Sequence, residues 1–164
     1  MRRILCVALV VSTLWAMPAL ATTQSASMDV TATFRVPTSV TLMSASTMDF
    51  GIYHSGQASD ADATSVVTIL SFPLNRTFSI FTDMGQHPAN GWRSMVNNTD
   101  IHLQYALYKD PGRLQEVPTE AGGWILDTTG GGSSVTLYGR IPHSQFPLES
   151  PYLDSVTVTV EYTP

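Results

Sequence analysis

The sequence predicts an all-β protein, an antiparallel sandwich, and three observations lead there. Residues 28–36 read Met-Asp-Val-Thr-Ala-Thr-Phe-Arg-Val, with Met28, Val30, Ala32, Phe34 and Val36 on one face and Asp29, Thr31, Thr33 and Arg35 on the other. That period of two marks a strand with one buried face. Residues 152–162 repeat the pattern more cleanly, Val156, Val158, Val160 and Tyr162 alternating with Ser155, Thr157, Thr159 and Glu161. Between them lie short apolar runs separated by Gly, Pro, Asn and Asp, with no amphipathic helical stretch, the spacing expected of a sandwich.

The N-terminus reads as an export signal. Arg2 and Arg3 precede a mostly apolar run, Ile4 to Trp15, that Pro18 breaks, and Ala19-Leu20-Ala21 is a small-x-small cleavage site. The run is too short to span a bilayer. Removal of residues 1–21 leaves 143 of 164 residues, enough for one domain. Losing Arg2 and Arg3 takes the formal charge from −5 to −7, which argues against nucleic acid and anionic lipid as partners. Cys6 lies within the signal, so thiol catalysis and zinc-thiolate or iron–sulfur sites are not expected of the mature chain. The expected organisation is a signal at 1–21, an arm at 22–37 and a domain at 38–164.

In chain order, Pro37 ends the first strand. Residues 39–43 and 48–53 read as two segments of one edge strand, with Gly51 suggesting a bulge or a close backbone approach. Residues 55–63 read as an exposed loop and residues 64–72 as a central strand ended by Pro73. Residues 76–82 alternate, 83–90 form a turn, and 92–96 a short strand. Residues 101–108 alternate, with Leu103, Tyr105 and Leu107 together, before a Lys109-Asp110-Pro111-Gly112 turn. Short strands at 124–126 and 135–140 follow, then an irregular loop with Pro142, Pro147 and Pro151.

The sequence stops two residues after the last strand. If that strand is the penultimate one of an immunoglobulin-like sandwich, its outer edge is open, and an open edge over an apolar face invites another chain to pair. On the pattern alone, residues 28–36 are either an ordinary first strand or a free arm that completes a neighbouring subunit.

Four motifs carry a resemblance. They are Met48-Asp49-Phe50-Gly51-Ile52-Tyr53; Leu103-Gln104-Tyr105-Ala106-Leu107-Tyr108-Lys109-Asp110; Val135-Thr136-Leu137-Tyr138-Gly139-Arg140-Ile141-Pro142; and Tyr152-Leu153-Asp154-Ser155-Val156-Thr157-Val158-Thr159-Val160. In this order they resemble the spore coat protein U domain family, found in secreted subunits of archaic chaperone–usher pili. The resemblance implies an incomplete immunoglobulin-like sandwich with an N-terminal donor strand. It also implies a periplasmic chaperone, an outer-membrane usher and neighbouring pilus subunits as partners, and passage through the periplasm to the cell surface. With one domain and an arm, the chain looks like a shaft or adaptor subunit serving adhesion or biofilm formation. On this reading the donor plugs are Met28, Val30, Ala32, Phe34 and Val36, and the acceptor-groove walls are Val40, Leu42, Phe50, Ile52, Val156, Val158 and Val160. The family usually carries a cysteine after the arm and another in the following apolar strand; near Ser39 and Ile69 this sequence has none, forgoing a crosslink of roughly 2–4 kcal/mol.

Catalysis is not expected, nor is a cofactor or metal. His54, His87, His102 and His143 form no His-Glu-x-x-His motif, Ser133-Ser134 is no nucleophile elbow, and Gly130-Gly131-Gly132 lacks the lysine of a phosphate loop. Asp60, Asp62 and Asp127 read as surface-loop residues. The alternative function is a secreted carbohydrate-binding sandwich, with Trp92 and Trp124 stacking on sugars, or another monomeric exported sandwich protein; core or groove packing is the commoner use of such residues.

Overall fold

A computed structural model describes residues 25–35, 40–71, 76–128, 132–148 and 151–163. The described residues form ten strands: β1 (Ser25–Arg35), β2 (Val40–Ala45), β3 (Met48–Ile52), β4 (Ala61–Ser71), β5 (Arg76–Thr82), β6 (Arg93–Val96), β7 (His102–Tyr108), β8 (Ile125–Thr128), β9 (Gly132–Ile141) and β10 (Tyr152–Thr163). Among the described residues none is helical, so no helix is long and apolar enough to cross a membrane.

The strands curl into a sandwich. Along the main path the order is β2-β4-β9-β7-β6-β10-β1-β3, and β5 joins β10 and carries β8 at its other side. Strand β7 couples the two layers. Its first half pairs with β6, through Arg93↔Tyr105 to Val96↔His102. Its second half, Ala106 to Tyr108, pairs with β9. That is why Ala106 is buried beside the expected Leu103, Tyr105 and Leu107: a strand that crosses from one layer to the other is covered on both faces.

The interrupted edge strand has a matching cause. Strand β2 pairs with β4 in one layer and β3 with β1 in the other, so the chain changes layers at Ser46 and Thr47. The crossing is pinned by Ser46, whose Oγ accepts the Val66 N–H at 2.9 Å and whose N–H donates to Val66 O at 3.1 Å. The expectation for Gly51 holds. The register slips between Ala26 and Ser27, leaving Phe50 unmatched, and Gly51 has φ +66°, a left-handed bulge that glycine enters without a Cβ penalty.

Two boundaries differ. Strand β4 begins at Ala61, inside the expected loop, because Ala61 to Leu70 pair residue by residue with Ile141 to Gly132 of β9. Asp62 therefore sits on a strand, where its carboxylate accepts both Arg140 Nε (2.8 Å) and Nη2 (3.0 Å). That bidentate bond lowers the Asp62 pKa and raises that of Arg140. Asp127 is likewise on a strand, β8, accepting the Thr77 hydroxyl at 2.6 Å. Asp60 lies in the loop, as expected.

The core gathers Met28, Met48, Phe78, Ile80, Met95, Leu103, Leu107, Leu137 and Val156. Gly139 of β9 makes room for β3 within it. A Cβ there would run into Met48 Sδ and stand 2.6 Å from Phe50 Cζ. Gly139→Val is expected to destabilise the subunit by about 1–3 kcal/mol through overpacking, read as a fall in the thermal midpoint; an unchanged midpoint would show that the β3 side chains give way freely.

Candidate functional site

Strand β1 lies between β10 and β3. Against β10 it runs parallel, in unbroken register from Ala26↔Tyr152 to Arg35↔Glu161; against β3 it runs antiparallel, over Ser25 to Met28. Among the described strands, β1 and β10 make the parallel pair; every other pairing is antiparallel. The outer edge of β10 foreseen as open is thus covered, and the strand covering it is the chain's own N-terminal segment.

The register brings the two clearest sequence patterns together. Val30 stands opposite Val156, Ala32 opposite Val158 and Phe34 opposite Val160. Val156, Val158 and Val160 are fully buried; for Ala32 and Phe34 the backbone register is what is described. Met28 is fully buried too, opposite Asp154 on one side and Met48 on the other. Val30 is partly buried against the core. Val36 lies outside the described residues.

Of the remaining foreseen wall residues, Phe50 is buried on β3. Ile52, opposite Ser25 at the end of β3, is 55% exposed, beyond the point where the Gly51 bulge turns the strand. The backbone of Val40 and Leu42 belongs to β2, paired with Ser71 and Leu70 of β4 in the other layer. Two contributors were missed. Ala26 is buried and Met48 fills the position facing Met28. For Ala26 the signal was present, since the alternation Ala26-Met28-Val30 continues backward; the small neighbours Ser25 and Ser27 hid it.

A buried polar knot fixes β10 from its other side. Asp154 has a fully buried side chain. Its carboxylate accepts the Tyr105 hydroxyl at 2.6 Å and the Gln86 N–H at 2.9 Å, and His87 Nδ1 stands 3.1 Å away. Burial, reinforced by the Asp154 charge, pushes the Tyr105 pKa far upward, so this hydroxyl stays protonated and donates. Three residues on, Thr157 is clasped by Asp83: Asp83 N–H donates to Thr157 O (3.1 Å) and Thr157 N–H to Asp83 Oδ1 (3.0 Å). Strand β10 is thereby held along one edge while β1 pairs with the other. Among the described residues no three His, Cys, Asp or Glu side chains gather as a metal would require.

What this geometry offers is a strand-shaped slot whose occupant buries apolar side chains and completes two backbone ladders. A protein-family model, the Spore Coat Protein U domain, matches residues 21–159, a span that includes β1, the first three motifs read from the sequence and the fourth up to Thr159. No curated protein matches the chain. The domain is a structural, pilin-type module associated with chaperone–usher pilus and coat proteins of the cell surface.

Proposed function

Because the chain belongs to the Spore Coat Protein U domain family, we propose that it is a shaft or adaptor subunit of a secreted chaperone–usher pilus, polymerising by exchange of β1 between copies in support of adhesion or biofilm formation. One observation carries the reading: β1 pairs only with β10 and β3 among the described strands and closes the slot over Val156, Val158 and Val160. An identical β1 from a second copy would meet the same register and the same apolar floor.

In this scheme a folded monomer keeps its own β1 in the slot, and assembly transfers the strand to a neighbour, a form of domain swapping. Arm and slot are different surfaces, so the joining is head-to-tail and yields a filament rather than a closed ring. A periplasmic chaperone would lend a strand to the vacated slot, and an outer-membrane usher would oversee the exchange. Residues 1–21 would direct export. Fibre durability would come from slow dissociation, since withdrawal re-exposes the whole slot at once.

The test is a subunit lacking residues 22–35. It is expected to remain a chaperone client but to build no fibres, and a synthetic peptide spanning Ser25–Arg35 is expected to raise its thermal midpoint by filling the slot. Electron microscopy and calorimetry read the two outcomes. Fibres as long as wild type from the truncated subunit, or no response to the peptide, would sink the proposal.

A further inference from the structure

A second concavity lies away from β1. Strands β5 and β6 both run antiparallel to β10 and form one column along it; residues 84–92 leave that column as an excursion and return. The return is a two-residue turn. Ala89 N–H donates to Trp92 O (3.0 Å) and Trp92 N–H to Ala89 O (2.9 Å). Asn90 has φ 53° and Gly91 φ 79°. Positive φ at both central positions is type I′ geometry, which Asn-Gly adopts with little strain. The turn therefore fixes where the Trp92 backbone re-enters the column, and the residue is 43% exposed.

Trp92 borders a cleft of about 270 Å³ whose lining includes Arg93, Tyr105, Glu116, Val117 and Thr119. None of the lining residues lies on β1 or β3. The opposite wall is anchored: Val117 N–H donates to Leu107 O (2.9 Å) and Thr82 N–H to Pro118 O (3.0 Å). Arg93 is only 5% exposed. Its Nε donates to Asp83 O (3.1 Å) and its Nη2 to Thr82 Oγ1 (2.8 Å), bonds that orient the guanidinium and use neither hydrogen of Nη1. Glu116 is exposed and supplies an acceptor.

We propose that this cleft binds a single neutral sugar ring, its C–H face against the Trp92 indole and its hydroxyls between the Arg93 guanidinium and the Glu116 carboxylate. The lining selects the class. A hydroxyl both donates and accepts, so it satisfies a cation and an anion at once. An anionic ligand meets Glu116, a cationic ligand meets Arg93, and a purely apolar ligand strips water from a buried guanidinium without replacing its bonds. The volume is at the small end for ligand sites, which suits one ring rather than a chain. An aromatic on a preformed turn needs no loop ordering on binding.

The experiment titrates the exported full-length subunit with the methyl glycosides of glucose, galactose, mannose and N-acetylglucosamine, and with methyl glucuronide as the charged contrast. Tryptophan emission and saturation-transfer NMR read binding. At least one neutral glycoside is expected to give a saturable response, weakened about tenfold or more by Trp92→Ala and severalfold by Glu116→Gln, with circular dichroism unchanged in both variants. The glucuronide is expected to bind more weakly than its neutral counterpart. The proposal fails if no neutral glycoside gives a saturable response, if the response survives Trp92→Ala intact, or if the glucuronide binds more tightly. Because the cleft shares no residue with β1 or β3, loss of fibre formation would leave this result standing, and the reverse also holds.

Discussion

Replacing Asp154 with alanine is expected to lower the stability of the subunit by about 3–5 kcal/mol and its thermal midpoint by about 10 °C or more. The reason is what the substitution leaves behind. The carboxylate accepts from the buried Tyr105 hydroxyl and from the Gln86 N–H at the edge of the knot; without it the Tyr105 hydroxyl loses its acceptor inside the fold, and the Gln86 N–H loses its partner. Each buried donor left unmatched costs about 1–3 kcal/mol, and the emptied volume adds to that. Gly85 sharpens the effect. It sits at φ +79°, and a Cβ there would strike Asp154 Oδ2, so the excursion is shaped closely around this one side chain. Asp154→Asn, which keeps an acceptor for Tyr105, is expected to lose roughly half as much. A midpoint for Asp154→Ala within experimental error of wild type would show that the knot is dispensable.

The second large effect concerns assembly. Met28→Asp is expected to cut fibre yield at least about a hundredfold, equivalent to about 3 kcal/mol per junction. Met28 is fully buried, and its partner in register on β10 is Asp154, itself buried. A carboxylate introduced there loses hydration and faces a like charge across the ladder. Asp29→Ala supplies the contrast. Asp29 is exposed, on the opposite face of the same strand, so its loss is expected to leave fibre yield unchanged. Pelleting assays on chaperone-released subunit measure both. Equal yields from the two variants would mean that the face of β1 directed to the core has no part in joining copies.

Much of this was readable in the sequence because it is local. Alternation within β1 and β10 needs only neighbouring residues. The Gly51 bulge was readable for the same reason. Long-range geometry was not. That Val30 stands against Val156 emerges only with the two strands paired. The break between β2 and β3 was visible, but a change of layer depends on which distant strand each half meets, β4 or β1. Asp154 was read as one letter of a motif; its partners Tyr105 and Gln86 are 49 and 68 positions away, and no periodicity encodes such a pairing. Residues 83–90 were recognised as a turn, yet their role as an excursion from a column shared by β5 and β6 emerges only with β10 in place. Trp92 was expected to pack into the core or the groove. The Asn90–Gly91 turn carries it outward instead, whereas Trp124 packs against the core.

Strands β2 and β3 terminate the main path of the sheet at its two ends, and only Ser46 and Thr47 separate them in the chain. The two ends of the path are therefore joined by the chain itself, at the point where it changes layers. Strand β8, the other rim among the described residues, is four residues long, too short a template to hold a foreign strand firmly. On the proposed function, the place of β1, eleven residues long, is the longer template for an incoming strand.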